Sequence, residues 1–307
     1  MSERIERIDG FVRFVADEFK SDYTLFRGQP MDAPLVPRLG RMKLRDADVL
    51  RTEERMMEAF KKMSRPHLSS PPTNEWDWLA LAQHHGLPTR LLDWTLNPLA
   101  ALWFAVEKPA GRGPGRQGKA KDGVVWAFEV LDEDIVRPEE KEGPKEQKYT
   151  RVYSPPHIAP RIVVQQGWFT VHRYLTEAKR FAVLGSIGHY RRRLRKMVIP
   201  GECFNDMRCE LDRMGVNRFS LFPGLDGLAS HIEWLHSCLE DETGEETAKP
   251  TGSPQRDAWV SGNKGQRNES AQRKAKNRNR TANAENAETA EAAENSQGWG
   301  KQKRRNN

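Results

Sequence analysis

Apolar residues recur along the first 240 positions at helical and strand periods, and then stop. Ile5, Ile8, Val12, Val15 and Phe19 share one face of a helix predicted over residues 5–19. Residues 22–26 read as a short strand, ended at Arg27-Gly28-Gln29-Pro30, where Gly and Pro impose a turn. Val49, Met56, Phe60 and Met63 mark an amphipathic helix over 44–63. A second apolar helix spans 76–84 and stops at His85-Gly86-Leu87-Pro88, with Gly as C-cap and Pro just beyond. Residues 89–95 read as a connection. Asn97 then caps, and Pro98 opens, a helix whose body over 99–106 is apolar all round and so belongs inside the domain. Strands are predicted at 123–130, 161–171 and 197–199, and helices over 204–214 and 228–239.

Helices dominate the first half and strands the second. This order favours an α+β fold over a doubly wound parallel sheet: one mixed domain over residues 1–240, with helices around a small sheet. From residue 241 to 307 the chain is mostly Asn, Ala, Glu, Lys, Arg, Gly and Ser, which is too polar to bury a core, and a disordered tail is expected. Its charge comes in blocks: basic over 264–280, acidic over 285–294, basic over 301–305. Two readings stand for it, a solvated linker and an arm that contacts nucleic-acid phosphates.

Composition changes this picture little. Apolar residues make up 37 % of the chain, against about 45–50 % in globular proteins on a count that includes Gly, and the tail accounts for the deficit. The formal charge of +7 permits a nucleic-acid partner without demanding one. Before the tail, the densest basic run is 191–196. Cys203, Cys209 and Cys238 lack the CxxC spacing of zinc sites and are too few for a disulfide framework, so free thiols are expected and no metal. The charged opening residues lack a signal-peptide core. No window approaches the ~18 apolar residues of a membrane helix. A cytoplasmic protein without membrane contact is the expectation.

Four segments carry candidate chemistry. At Phe26-Arg27-Gly28-Gln29, an arginine at a strand end reaches a phosphate or carboxylate as a fork, or simply occupies a surface turn. The stretch from Gln83 to Thr95 packs two His, Gln, Arg, Asp and two Thr between apolar helices. Such groups either satisfy one another, as Arg90 with Asp93 would, or line a cavity. His84 and His85 are expected on different faces. Gln165 and Gln166 fall in a strand read as buried, where two amides are unusual and Gln165 bonds either a ligand or nearby backbone. In Leu221 to Gly227, Asp226 reads as the cap of the last helix. The Walker-like spacing Gly113 to Lys119 is set aside: Ala120 replaces the required Ser/Thr, and the loop precedes a strand.

These segments resemble the FRG domain family, named for its Phe/Tyr-Arg-Gly motif. Phe26-Arg27-Gly28-Gln29 is similar to the naming motif. Gln83 to Thr95, running on through Asn97-Pro98 to Ala105, is similar to the longest signature; 161–169 and 221–228 are similar to two later ones. His85 stands where the family often has Tyr. A fainter likeness to ADP-ribosyltransferases implies NAD as substrate, with Arg27 on its pyrophosphate. Where those enzymes place a catalytic Glu, the matching strand offers Gln165 or Gln166, which leaves the carboxylate role to Asp93, Glu129 or Glu177. The resemblances nominate Arg27, His84, Asp93 and Gln165 for catalysis. They nominate Arg27, Gly28, Gln29, Thr89, Arg90 and Thr95 for holding a nucleotide. Three functions follow as expectations: an ADP-ribosyltransferase-like or NAD-cleaving enzyme acting as a toxin or phage-defence effector; a non-catalytic nucleotide-sensing or protein-binding module; and a nucleic-acid-associated protein acting through its tail.

Overall fold

The computed structural model describes residues 2–21, 23–113, 119–137, 142–155 and 166–242. Its frame is a seven-stranded sheet. In chain order the strands and helices are β1 (Ser2–Arg4), α1 (Ile8–Glu18), β2 (Thr24–Gln29), α2 (Val49–Ser64), α3 (Glu75–His84), β3 (Leu91–Thr95) and α4 (Pro98–Val106). They continue with β4 (Gly123–Glu129), β5 (Arg151–Tyr153), β6 (Gly167–Val171), the small hairpin β7 (Tyr174–Leu175) and β8 (Arg180–Phe181), and α5 (Gly188–Arg191). The last are β9 (Leu194–Ile199), α6 (Phe204–Arg213), α7 (Arg218–Leu221) and α8 (Leu225–His236). Spatially the sheet runs β1-β9-β4-β2-β3-β6-β5. Its pairs are antiparallel except β1 with β9. The α+β class holds.

One face of the sheet is covered by two separate groups of helices. Over β9, β4 and β2, residues Phe26, Val125, Ala127, Met197 and Ile199 pack against α1, α4 and α6. Over β3, β6 and β5, residues Leu91, Phe169, Val171 and Tyr153 pack against α3 and, through Met57 and Phe60, α2. The opposite face holds a third cluster, with Leu25, Leu92, Trp94, Phe128 and Leu194 under Leu35, Leu184 and Tyr190. The ends of α3 and α4, one from each group, flank the boundary between β2 and β3.

That boundary is open. β2 pairs with β4 over six residues, yet with β3 it shares only Phe26 opposite Thr95. Beyond this pair the strands part, and the gap is where polar residues gather.

Several elements differ from the sequence reading, for identifiable reasons. No turn forms at Arg27-Gly28; β2 continues to Gln29. Gly28 serves a close approach instead, since a Cβ there would lie 1.8 Å from the Ala101 carbonyl oxygen of α4. The connection expected at 89–95 contains β3, a strand near the middle of the sheet. Leu91, Leu92 and Trp94 bury both of its faces, while Asp93 disguised it by standing exposed at the gap. Strands therefore alternate with helices in the first half as well. β1 escaped notice because Ser-Glu-Arg has no apolar pattern.

Gly224, not Asp226, caps the last helix. The folded body also runs past residue 240, because Arg208 binds both carboxylate oxygens of Asp241, at 2.8 and 2.9 Å. Residues 243–307 lie outside the described residues, and with them almost all of the expected tail. Among the described residues no helix is long and apolar enough to cross a membrane.

Candidate functional site: an arginine-lined cavity at the parting of two strands

The gap between β2 and β3 opens into a cavity of about 660 Å³, a size typical of small-molecule sites. Its walls come from the end of β2, the end of α3, β3 and the C-terminal end of α4. Local sequence explains each wall. Asn74 and Asn97 start α3 and α4 by accepting backbone N–H bonds (Asn74 Oδ1 from Asp77, Asn97 Oδ1 from Leu99 and Ala100). Gly86, at φ +82°, ends α3 and sends the chain back as β3.

Arg27 is the central group. Where the parted strands leave the Asp93 carbonyl without a β2 ladder partner, Arg27 Nη1 donates to it at 2.8 Å. The same nitrogen stands 3.8 Å from the Asp93 carboxylate, and the side chain is only 16 % exposed. Its Nε is buried and has no hydrogen-bond partner among the described residues. Burial, with Arg41 nearby, pulls the guanidinium pKa below its ordinary value, and Asp93 opposes that pull. An arginine so placed stays charged and retains donor capacity for an anion.

Asp93 is held from the other side. Thr89 Oγ1 donates to Gln83 Oε1 at 2.7 Å, which orients the amide. Gln83 Nε2 then donates to both Asp93 oxygens at 3.0 Å. The carboxylate is thereby fixed in place while its side chain remains 58 % exposed toward the cavity. Arg38, Arg41 and Lys108 add positive charge to the walls, and Arg38 Nη1 donates to the Gly86 carbonyl at 3.2 Å. The opposing carboxylates are Asp93 and Glu107, and Glu107 is paired with Arg218. Cations outnumber free anions, so the field inside favours an anionic ligand.

Behind Arg27 lies a closed polar chain. Trp94 Nε1 donates to Thr170 Oγ1 at 3.0 Å, and Thr170 Oγ1 is 2.9 Å from His172 Nε2. His172 Nδ1 is 2.8 Å from the Ala182 carbonyl. A carbonyl only accepts, so Nδ1 carries the proton and Nε2 accepts from Thr170. Burial, assisted by the Arg27 charge, lowers the His172 pKa to about 4. The ring is neutral and structural.

Of the residues named from sequence, Arg27, Gly28, His84, Asp93 and Thr95 line the cavity. His84 and His85 both do so, their rings 5.0 Å apart, which corrects the expectation that they would diverge. Gln29 is buried in β2, away from the cavity. Thr89 is wholly buried and acts through Gln83. Arg90 does not pair with Asp93; it forms a bidentate bond with Glu53 of α2 at 2.9 and 2.5 Å, both side chains buried. Only Leu91 and Leu92 separate Arg90 from Asp93, yet β3 starts between them and carries the two side chains apart. Gln165 lies outside the described residues. Sequence reading missed Arg38, Arg41, Glu107 and Lys108, which also form the walls, while Phe104 joins them from the end of the long signature. The one available sign was the pair of arginines three apart after Pro37, in a 3-10 turn.

The fold and cavity define an α+β domain with an arginine-lined cleft at a split in its sheet. The chain carries an FRG domain: residues 22–112 match that family's model, a stretch that spans the naming motif, the long signature and the whole of β2 through α4. Comparison with curated proteins and with solved structures returns no match.

Proposed function

We propose that the cavity binds NAD through its pyrophosphate and cleaves the bond between nicotinamide and ribose. The observation that carries this reading is one wall holding two complementary groups. These are an arginine with an unpartnered buried Nε and, beside it, a carboxylate fixed by Gln83. Arg27, with Arg38 and Arg41, suits a pyrophosphate, for which fork-shaped donors give both charge and geometry. Asp93 suits the positive charge that develops on ribose as the glycosidic bond breaks. In hydrolysis the C1′–N bond breaks and nicotinamide leaves with the bonding electrons. Water then bonds to C1′ and releases a proton, giving ADP-ribose. In transfer, a nucleophile on a target takes the place of water. Removal of NAD is chemistry fit for a toxin or a phage-defence effector, and growth arrest that Arg27→Ala abolishes is its cellular signature.

A second reading, a nucleotide sensor without turnover, draws on a different observation. Both Asp93 oxygens already accept from Gln83, and Glu107 is committed to Arg218. Both readings require Arg27 to hold the ligand. Calorimetry with NAD, ADP-ribose and nicotinamide tests that shared requirement. NAD and ADP-ribose are expected to bind, nicotinamide far more weakly, and Arg27→Ala to weaken NAD by roughly 10–150-fold, the loss of a charge-assisted hydrogen bond. Equal NAD affinity in the variant and the wild type would refute the assignment.

A further inference from the structure

A second, smaller cavity, of about 260 Å³, lies away from the first and shares no lining residue with it. The β7–β8 hairpin brings Arg173 and Arg180 to its wall, and α5 brings His189; Ser186 and Tyr149 add hydroxyl groups, and the lining holds no carboxylate. Arg173 and Arg180 are exposed and form no ion pair among the described residues. From Arg173 to Arg195 the chain holds seven Lys and Arg against one acid, Glu177. Arg191 and Arg192 continue the exposed basic surface beside His189. The buried carboxylate behind it, Asp134, is consumed by Arg193.

The surface is preorganised. Tyr190 Oη donates to the Thr150 carbonyl at 2.6 Å, tying α5 to the segment that presents Tyr149. Ala182 N donates to the Arg173 carbonyl at 2.9 Å, and Phe181 packs edge-on against Tyr174 at 5.2 Å, which fixes the hairpin. Tyr149 itself is 68 % exposed. A large aromatic ring left in water beside unpaired guanidinium groups is the arrangement that grips single-stranded nucleic acid: cations follow the phosphates while a ring stacks on a base. A membrane surface would call for exposed aliphatic side chains, whereas Leu175 and Ile187 here are partly covered.

We propose that this basic cavity and Tyr149 form a binding surface for single-stranded nucleic acid on the folded domain, independent of both the NAD reading and the tail. The test is fluorescence anisotropy on the full chain with a labelled single-stranded oligonucleotide of about 12 nucleotides, within the range one such domain covers. The Arg173→Glu/Arg180→Glu variant is expected to lose about tenfold or more in affinity, and its plot of log affinity against log salt to flatten by roughly 1.4, two phosphate contacts at about 0.7 each. Tyr149→Ala is expected to lose about 5–100-fold, as stacking residues do, with Tyr149→Phe restoring binding. Arg27→Ala should bind like wild type, which separates this surface from the first cavity. Wild-type affinity in the double charge reversal would overturn the proposal and place any binding in the tail. Competition by inorganic phosphate or by phosphatidylserine vesicles as effective as the oligonucleotide, with Tyr149→Ala silent, would overturn it in favour of a general anion site.

Discussion

Two arginine–carboxylate pairs each take one member from the segment around β3, Arg90 in one and Asp93 in the other, and do opposite things. Arg90 and Glu53 are almost wholly buried and face each other through two bonds, with a third from Arg90 Nη1 to the Pro144 carbonyl at 3.2 Å. Little donor capacity is left over, and water has no access. Arg27 and Asp93 stand 3.8 Å apart at a cavity wall, with Arg27 Nε unpartnered and Asp93 open to solvent. The first pair is closed, and its work is to join α2 to the start of β3. The second is held in place by its neighbours but left incomplete, which is the condition for meeting a ligand. Residue type did not separate them. Burial and the number of unmet hydrogen bonds did.

The sharpest way to break this contrast is to remove one partner from each pair. Glu53→Ala strands a buried guanidinium and is expected to cost about 3–5 kcal/mol of stability. Asp93→Ala, at an exposed carboxylate, is expected to leave the denaturation midpoint nearly unchanged. Comparable losses in both variants, read by chemical denaturation, would remove the distinction.

His172 sharpens the picture behind Arg27. Its pKa is about 4 in the fold and 6.5 unfolded, so the unfolded chain takes up its proton first as the solution is acidified. The stability tied to its neutral form is whole above about pH 6.5 and is lost as pH falls toward about 4, a decline of about 3 kcal/mol. Unfolding curves at pH 7, 5 and 4 should show this decline in the wild type and much less of it in His172→Asn. Parallel declines in both would contradict the assignment.

Smaller effects test how the cavity walls are built. Gly28→Ala drives a methyl group into the Ala101 carbonyl and is expected to cost about 1–3 kcal/mol by overpacking β2 against α4. Asn97→Ala removes the cap of α4, for about 1 kcal/mol. If Gly28→Ala melts like wild type, the close approach of strand and helix is not a constraint on the fold.

Periodicity read the helices well because each buries a stripe or a full surface of apolar residues, and Asn97-Pro98 placed the start of α4 to the residue. It read β3 poorly. In Leu91-Leu92-Asp93-Trp94-Thr95 the strand is covered on both sides except at the gap, so no two-residue alternation survives. The site was legible where motif residues themselves face the cavity, as Arg27, His84 and Asp93 do. It was illegible where support comes from afar. That Glu53 would claim Arg90 across 37 positions depends on how α2 packs, and Arg38 and Arg41 arrive through a Pro-rich loop without periodic signal.

The most direct test of the NAD-cleaving site follows free nicotinamide by mass spectrometry when purified wild-type protein, Arg27→Ala and Asp93→Asn are incubated with NAD. Nicotinamide released by the wild type, and lost in both variants while both remain folded, is the predicted result. Release that persists in Arg27→Ala, or no release from a folded wild-type chain that binds NAD, would contradict it.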